Sequence, residues 1–165
     1  MRNGSFVQDN AANFNFGTSE FISLQEAPTI IAECFRHNDL KDTVNQEEKR
    51  TIVLVGHDVA ADVRFLLRLG YNVLNLSTLH HSNPVVDTQK LFRAYQKIKQ
   101  PSVAPSVQQP VSLATVMEDL DIAPFGLHNA GNDAAYTMQV MIGMAVESAQ
   151  LRQNIIDVES DWTGT

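Results

Sequence analysis

Cysteine is nearly absent. Among 165 residues only Cys34 carries a thiol, so the chain forms no internal disulfide and a reducing, intracellular setting, cytoplasmic or nuclear, is expected. Positive charge is also scarce. The 12 Lys and Arg residues face 19 Asp and Glu, a formal net charge of −7. This excludes a generic basic binder of nucleic acid or anionic membrane. It leaves open a site whose carboxylates hold metal ions, because bound cations reverse the local sign. No apolar run approaches the roughly 18–20 residues of a membrane span. Met1-Arg2-Asn3-Gly4-Ser5 leads into no apolar core, so it does not read as a secretory signal. What remains is ordinary globular composition, 44% hydrophobic and 19% charged, which excludes disorder of the whole chain. The length suits one domain with tails.

Periodicity divides the chain into three parts. Residues 1–24 are a loop-rich segment in which Glu20 to Leu24 reads as a short strand. Residues 25–150 carry alternating strand and helix signals. Pro28 opens a helix over 28–37 with Ile30, Ile31, Cys34 and Phe35 on one stripe, and the polar run 38–50 is a surface loop. Thr51 to Val55 is a continuous β-branched run ending at Gly56, which reads as a strand buried on both faces. A helix over 58–69 follows, with Asp58 as its cap and Gly70 as its stop. Tyr71 to Leu76 reads as a short extended piece. Pro84 to Asp87 reads as a second strand, and Thr88 caps a helix over 89–99. Residues 100–110 hold three prolines and form a loop. Ser112 opens a short helix to Leu120, and Asn129 or Asn132 caps a helix to about Gln150. Residues 151–165 are a tail. The alternation predicts an α/β fold in which helices surround a short parallel pair of strands.

Three places carry chemistry. Asp62 lies one turn beyond Asp58, after the C-terminal end of the buried strand, where open α/β sheets bind ligands. In Leu127-His128-Asn129-Ala130-Gly131-Asn132-Asp133-Ala134 a histidine precedes a helix and an aspartate lies in its first turn. That pair suits a general base beside a metal-ligating carboxylate, and equally suits a helix start whose aspartate answers the dipole. Asp87-Thr88 ends a strand and reads better as a cap than as a site.

Together these segments resemble the DEDDh class of RNase H-like 3′–5′ exonucleases. His128-x-Ala130-x-x-Asp133 matches the class's third motif, and His57-Asp58-x-x-x-Asp62 followed by Phe65-Leu66 is similar to the second, with Asp58 where Asn is usual. Asp87-Thr88-x-x-Leu91 is similar to the strand and helix between them. Phe14-Asn15-Phe16-Gly17-x-Ser19-Glu20 and Val53 to Asp58 resemble a narrower fungal subgroup, the Gfd2-like C-terminal domains, named for supporting a DEAD-box helicase in mRNA export. The likeness covers residues 14–149. It implies two-metal phosphodiester hydrolysis, with Asp62 and Asp133 as Mg²⁺ or Mn²⁺ ligands and His128 as the base that takes the water's proton.

The class's first motif, Asp-x-Glu on a central strand, has no counterpart ahead of Asp62. The resemblance then implies an RNase H-like fold truncated at its N-terminal strands, with weak or absent metal binding by this chain. Asn154-Ile155-Ile156-Asp157-Val158-Glu159 has the missing motif's form, but so few residues follow the last helix that Asp157 and Glu159 are not expected to reach the site. The leading expectation is a nucleic-acid-binding domain related to metal-dependent exonucleases, incomplete or inactive as this chain alone. The alternatives are an active 3′–5′ exonuclease completed by another segment or subunit, and a protein-interaction module in RNA processing or mRNA export. The expected partners are single-stranded RNA or DNA, or an RNA-processing protein, and no membrane. Lys90, Arg93, Lys97 and Lys99 share one helix but read as a solvated face, leaving nucleic-acid-binding residues unassigned.

Overall fold

In the computed structural model, residues 11–34, 53–73, 85–102 and 110–163 are described. Among these described residues, five helices and a two-stranded parallel sheet make an α/β chain. The elements run α1 (Ala27–Cys34), β1 (Leu54–Gly56), α2 (Ala60–Arg68), β2 (Val85–Asp87), α3 (Thr88–Lys99), α4 (Leu113–Asp119) and α5 (Ala130–Thr163). The chain forms two compact units. One joins the segment up to Ser19 to everything from Asp87 onward, and the other spans Glu20–Val86.

The first unit holds the larger core. Tyr136, Val140 and Met144 recur every four residues along α5 and so share one face, which meets Phe92 and Tyr95 of α3 and Val116 and Met117 of α4. Leu120, Ile122, Leu127 and Leu151 pack around this cluster. Polar links tie its helices together. The Tyr95 hydroxyl donates to the Glu147 carboxylate. Lys99 Nζ lies 3.0 Å from Asp119 Oδ2 and 5.2 Å from the centre of the Tyr95 ring. The Tyr95 bond and the Asp119 charge both hold the Lys99 ammonium above its ordinary pKa.

Local chemistry fixes the element ends. Ser112 Oγ accepts the Thr115 N–H at 3.1 Å and starts α4. Asn129 Oδ1 accepts the N–H groups of Gly131 and Asn132 at 3.0 and 3.1 Å and starts α5, so Asn129 rather than Asn132 is the cap. Gly70, at φ +82°, stops α2, and Tyr71 N–H reaches back to the Leu66 carbonyl at 2.9 Å.

Several expectations need correction. Glu20–Leu24 is no strand. Ser23 and Glu26 form a reciprocal box in which Ser23 N–H donates to Glu26 Oε2 at 2.9 Å and Glu26 N–H donates to Ser23 Oγ at 3.2 Å. Those bonds hold the Glu26 carboxyl below its ordinary pKa. Asp87, not Thr88, caps α3, because its carboxylate accepts the Gln89 N–H at 3.0 Å. Asp58 does not cap α2. It sits at φ +58° in the preceding turn, and Val59 occupies the cap position without a side-chain bond. Leu54 and Val55 of the first strand are half-buried rather than covered on both faces, and among the described residues β2 is its one partner. The last helix continues to Thr163, so Asn154–Glu159 is helical backbone and not a strand. Tyr71–Val73 forms no strand. Residues 35–50, Thr51, Ile52, 74–84 and 103–109 lie outside the described residues, as do parts of the expectations that fall on them.

Candidate functional site at the start of the last helix

His128 and Asp133 are brought together at the N-terminus of α5. Leu127 packs against the core while His128, one residue on, is exposed. The backbone of His128 adopts φ +68°, in the left-handed region that costs a residue with a Cβ about 1–2 kcal/mol. Its N–H donates to Asp133 Oδ1 at 3.1 Å, which offsets part of that cost. The aspartate therefore fixes the histidine's backbone, and its second oxygen has no role in that bond.

A second layer holds the loop from below. Asn132 is fully buried. Its Oδ1 accepts the Asn15 N–H at 2.8 Å, and its Nδ2 donates to the carbonyls of Gly126 at 2.7 Å and Asn13 at 2.9 Å. Phe14 fills the space over the two glycines of this region. A Cβ on Gly131 would meet the Phe14 ring at 2.5 Å, and one on Gly17 would meet it at 2.8 Å. Phe16 then packs edge-on against Tyr136 with ring centroids 5.4 Å apart. The segment Asn13–Gly17 is thus a clasp on the first turns of α5. Sequence reasoning noted these residues only as a family phrase. The signal available was the cluster of amides in Asn129-Ala130-Gly131-Asn132, whose side chains cap and cross-link more than they solvate.

Asp62 stands in the other unit. Its carboxylate folds back over the end of β1, where a Cβ on Gly56 would lie 3.1 Å from Oδ2 and 2.8 Å from Val59. Only glycine allows that approach. Desolvation, first, and the charge of Asp58, second, raise the Asp62 pKa above its ordinary value. Asp58 is the residue that sequence reasoning took for a cap, and its placement by a positive φ explains how two carboxylates come to share this turn. Among the described residues, no three His, Cys, Asp or Glu side chains gather as a metal centre requires. Asp62 in one unit and Asp133 in the other do not by themselves make the donor set of a two-ion site.

The family model for DNA polymerase III subunit epsilon-like C-terminal domains matches residues 1–144, and the chain belongs to that DEDDh exonuclease-like family. It is 32% identical over 141 residues to an uncharacterised nucleolar protein of Schizosaccharomyces pombe, covering 86% of this chain and 50% of that protein. It is 27% identical over 146 residues to an uncharacterised protein of Saccharomyces cerevisiae, covering 86% of this chain and 30% of that one. The chain therefore spans half or less of the length of these relatives, which support the Gfd2-like fungal subgroup. No described helix is long and apolar enough to cross a membrane.

Proposed function

We propose that this chain is a nucleic-acid-binding domain of RNase H-like fold, related to metal-dependent 3′–5′ exonucleases and without turnover when alone. One observation carries the reading. His128 is exposed on a strained backbone that Asp133 and Asn132 hold in place, an arrangement that serves a proton acceptor better than it serves packing. His128 is the base in this reading, and Asp62 and Asp133, each on its own unit, are the carboxylates it assigns to metal ligation. Mg²⁺ or Mn²⁺ is the cofactor of the related enzymes. The first carboxylate pair is lacking here, so binding of either ion by this chain is weak. The substrate class is single-stranded RNA or DNA. The nucleolar description of the fission-yeast relative favours a nuclear setting.

The test is an end-labelled single-stranded RNA or DNA incubated with the purified chain and Mg²⁺ or Mn²⁺. The expected result is binding without trimming from the 3′ end. Joining a strand that bears Asp-x-Glu to the chain is expected to restore trimming. His128→Ala in that restored protein should then lower the rate by roughly 10²–10⁴-fold with binding kept. Robust 3′–5′ degradation by the chain as it stands, abolished by Asp62→Asn, would overturn this reading in favour of the complete exonuclease.

A further inference from the structure

The charges of this chain are unevenly distributed. Between Thr88 and Met117 there is no Asp or Glu, although the chain has 19, while four of its 12 basic residues, Lys90, Arg93, Lys97 and Lys99, fall within that stretch. All four lie on α3. Their environments differ. Lys99 is committed to the fold through Asp119 and the Tyr95 ring. Lys90, Arg93 and Lys97 are exposed, at positions i, i+3 and i+7, which is one face of a helix. The opposite face is the one packed into the core through Phe92 and Tyr95.

We propose that this outer face of α3 is the surface that follows the phosphate backbone of a single-stranded nucleic acid. The inference rests on the functional reading above and names the residues that reading left unassigned. Three cations spread over about 10 Å of helix axis suit a flexible polyanion that lies along the helix better than a single small anion. The rest of the chain is strongly acidic and repels such a ligand, so attraction concentrates where acids are missing. Contacts to phosphates give affinity and little sequence preference, so the surface accepts RNA and DNA alike.

The experiment measures anisotropy of a fluorescein-labelled oligouridylate, and of its deoxy counterpart, between about 50 and 200 mM salt. Three phosphate contacts on a single strand give a log–log salt slope of about −2, an affinity loss of about 20-fold over that range. Lys90→Gln, Arg93→Gln and Lys97→Gln combined should flatten the slope nearly to zero, and Lys90→Gln alone should reduce it by about 0.7. Thermal melting of the Lys90→Gln and Lys97→Gln variants should match the parent, since these side chains are exposed. Binding by the parent that is indifferent to all three substitutions overturns this inference and leaves the functional reading intact. Failure of the parent to bind either polymer overturns both. Tighter binding of phosphatidylserine-containing vesicles than of either polymer, through the same residues, overturns the nucleic-acid assignment in favour of a lipid surface.

Discussion

Asn132 makes three hydrogen bonds from a fully buried position, all of them to backbone groups. Asn132→Ala should lower stability by about 2 kcal/mol rather than more, because Asn13 and Asn15 are exposed and water can replace part of what is lost. The check is the urea midpoint together with hydrogen exchange at the Asn15 amide. Asp133 separates two roles. Asp133→Asn keeps an oxygen for the His128 N–H and should leave stability within about 0.5 kcal/mol of the parent, whereas Asp133→Ala should cost about 1 kcal/mol. Equal losses from both substitutions would show that charge, and not the bond, holds the loop. For Asp62 the pKa is raised, so the folded chain holds that proton more tightly than the unfolded chain does. The penalty of ionising it is absent below the ordinary value of 3.8 and is established as pH rises through the raised value. Asp62→Asn is expected to raise the melting temperature slightly near about pH 7 and not near about pH 3. A lower melting temperature at neutral pH would contradict the sign. At this scale the sequence was readable where bonds are local. The Ser112 and Asn129 caps follow from residues two or three positions away, but Asp58 was misassigned because a positive φ leaves no mark in composition.

Among elements, α5 repays attention for what is built around its first turn. A glycine in a helix ordinarily gives up as much as about 1 kcal/mol relative to alanine. Gly131 is an exception, since a Cβ there would lie 2.5 Å from the Phe14 ring. Gly131→Ala should therefore destabilise by about 1–3 kcal/mol. Combining it with Phe14→Ala should cost less than the two changes added together, and a double-mutant cycle checks this. In the core, Met144→Ala should cost about 3 kcal/mol, because its fully buried side chain sits where α5 meets its neighbours. The helix stripe of α3 was legible because it rests on a 3.6-residue period, whereas on α5 the apolar Met138 and Ile142 are exposed and the core takes Tyr136, Val140 and Met144 instead. The end of α5 was not legible, since Ile155-Ile156-Asp157-Val158-Glu159 imitates a strand while its backbone is helical. The Ser23–Glu26 box was present as Ser-x-x-Glu but was hidden by the apolar Phe21, Ile22 and Leu24, which imitate a strand and stand exposed.

For the molecule as a whole, the family and the α/β class were legible in the order of motifs, and so was the pairing of β1 with β2. The two-unit organisation was not, because it depends on contacts between segments more than 100 residues apart, such as the 117-residue separation of Asn15 and Asn132. Asp62 belongs to one unit and the His128–Asp133 pair to the other. The proposed function draws on both units, so in a protein restored with Asp-x-Glu Asp62→Asn should abolish trimming and His128→Ala should lower it by roughly 10²–10⁴-fold, each leaving the other unit's melting unchanged. Calorimetry beside the trimming assay reads both outcomes.

The clasp also sets a timetable for synthesis. Asn13, Phe14 and Asn15 leave the ribosome early, but the residues that receive them, Gly131 and Asn132, are made more than 110 residues later. At about 5–20 residues per second, the clasp waits on the order of 6–24 s for its helix. During that interval Phe14 and Phe16 have no native place to go, and the nascent chain offers two unprotected rings to whatever chaperone is near. The same segment that steadies the start of α5 in the finished chain waits without its native cover while the rest is made.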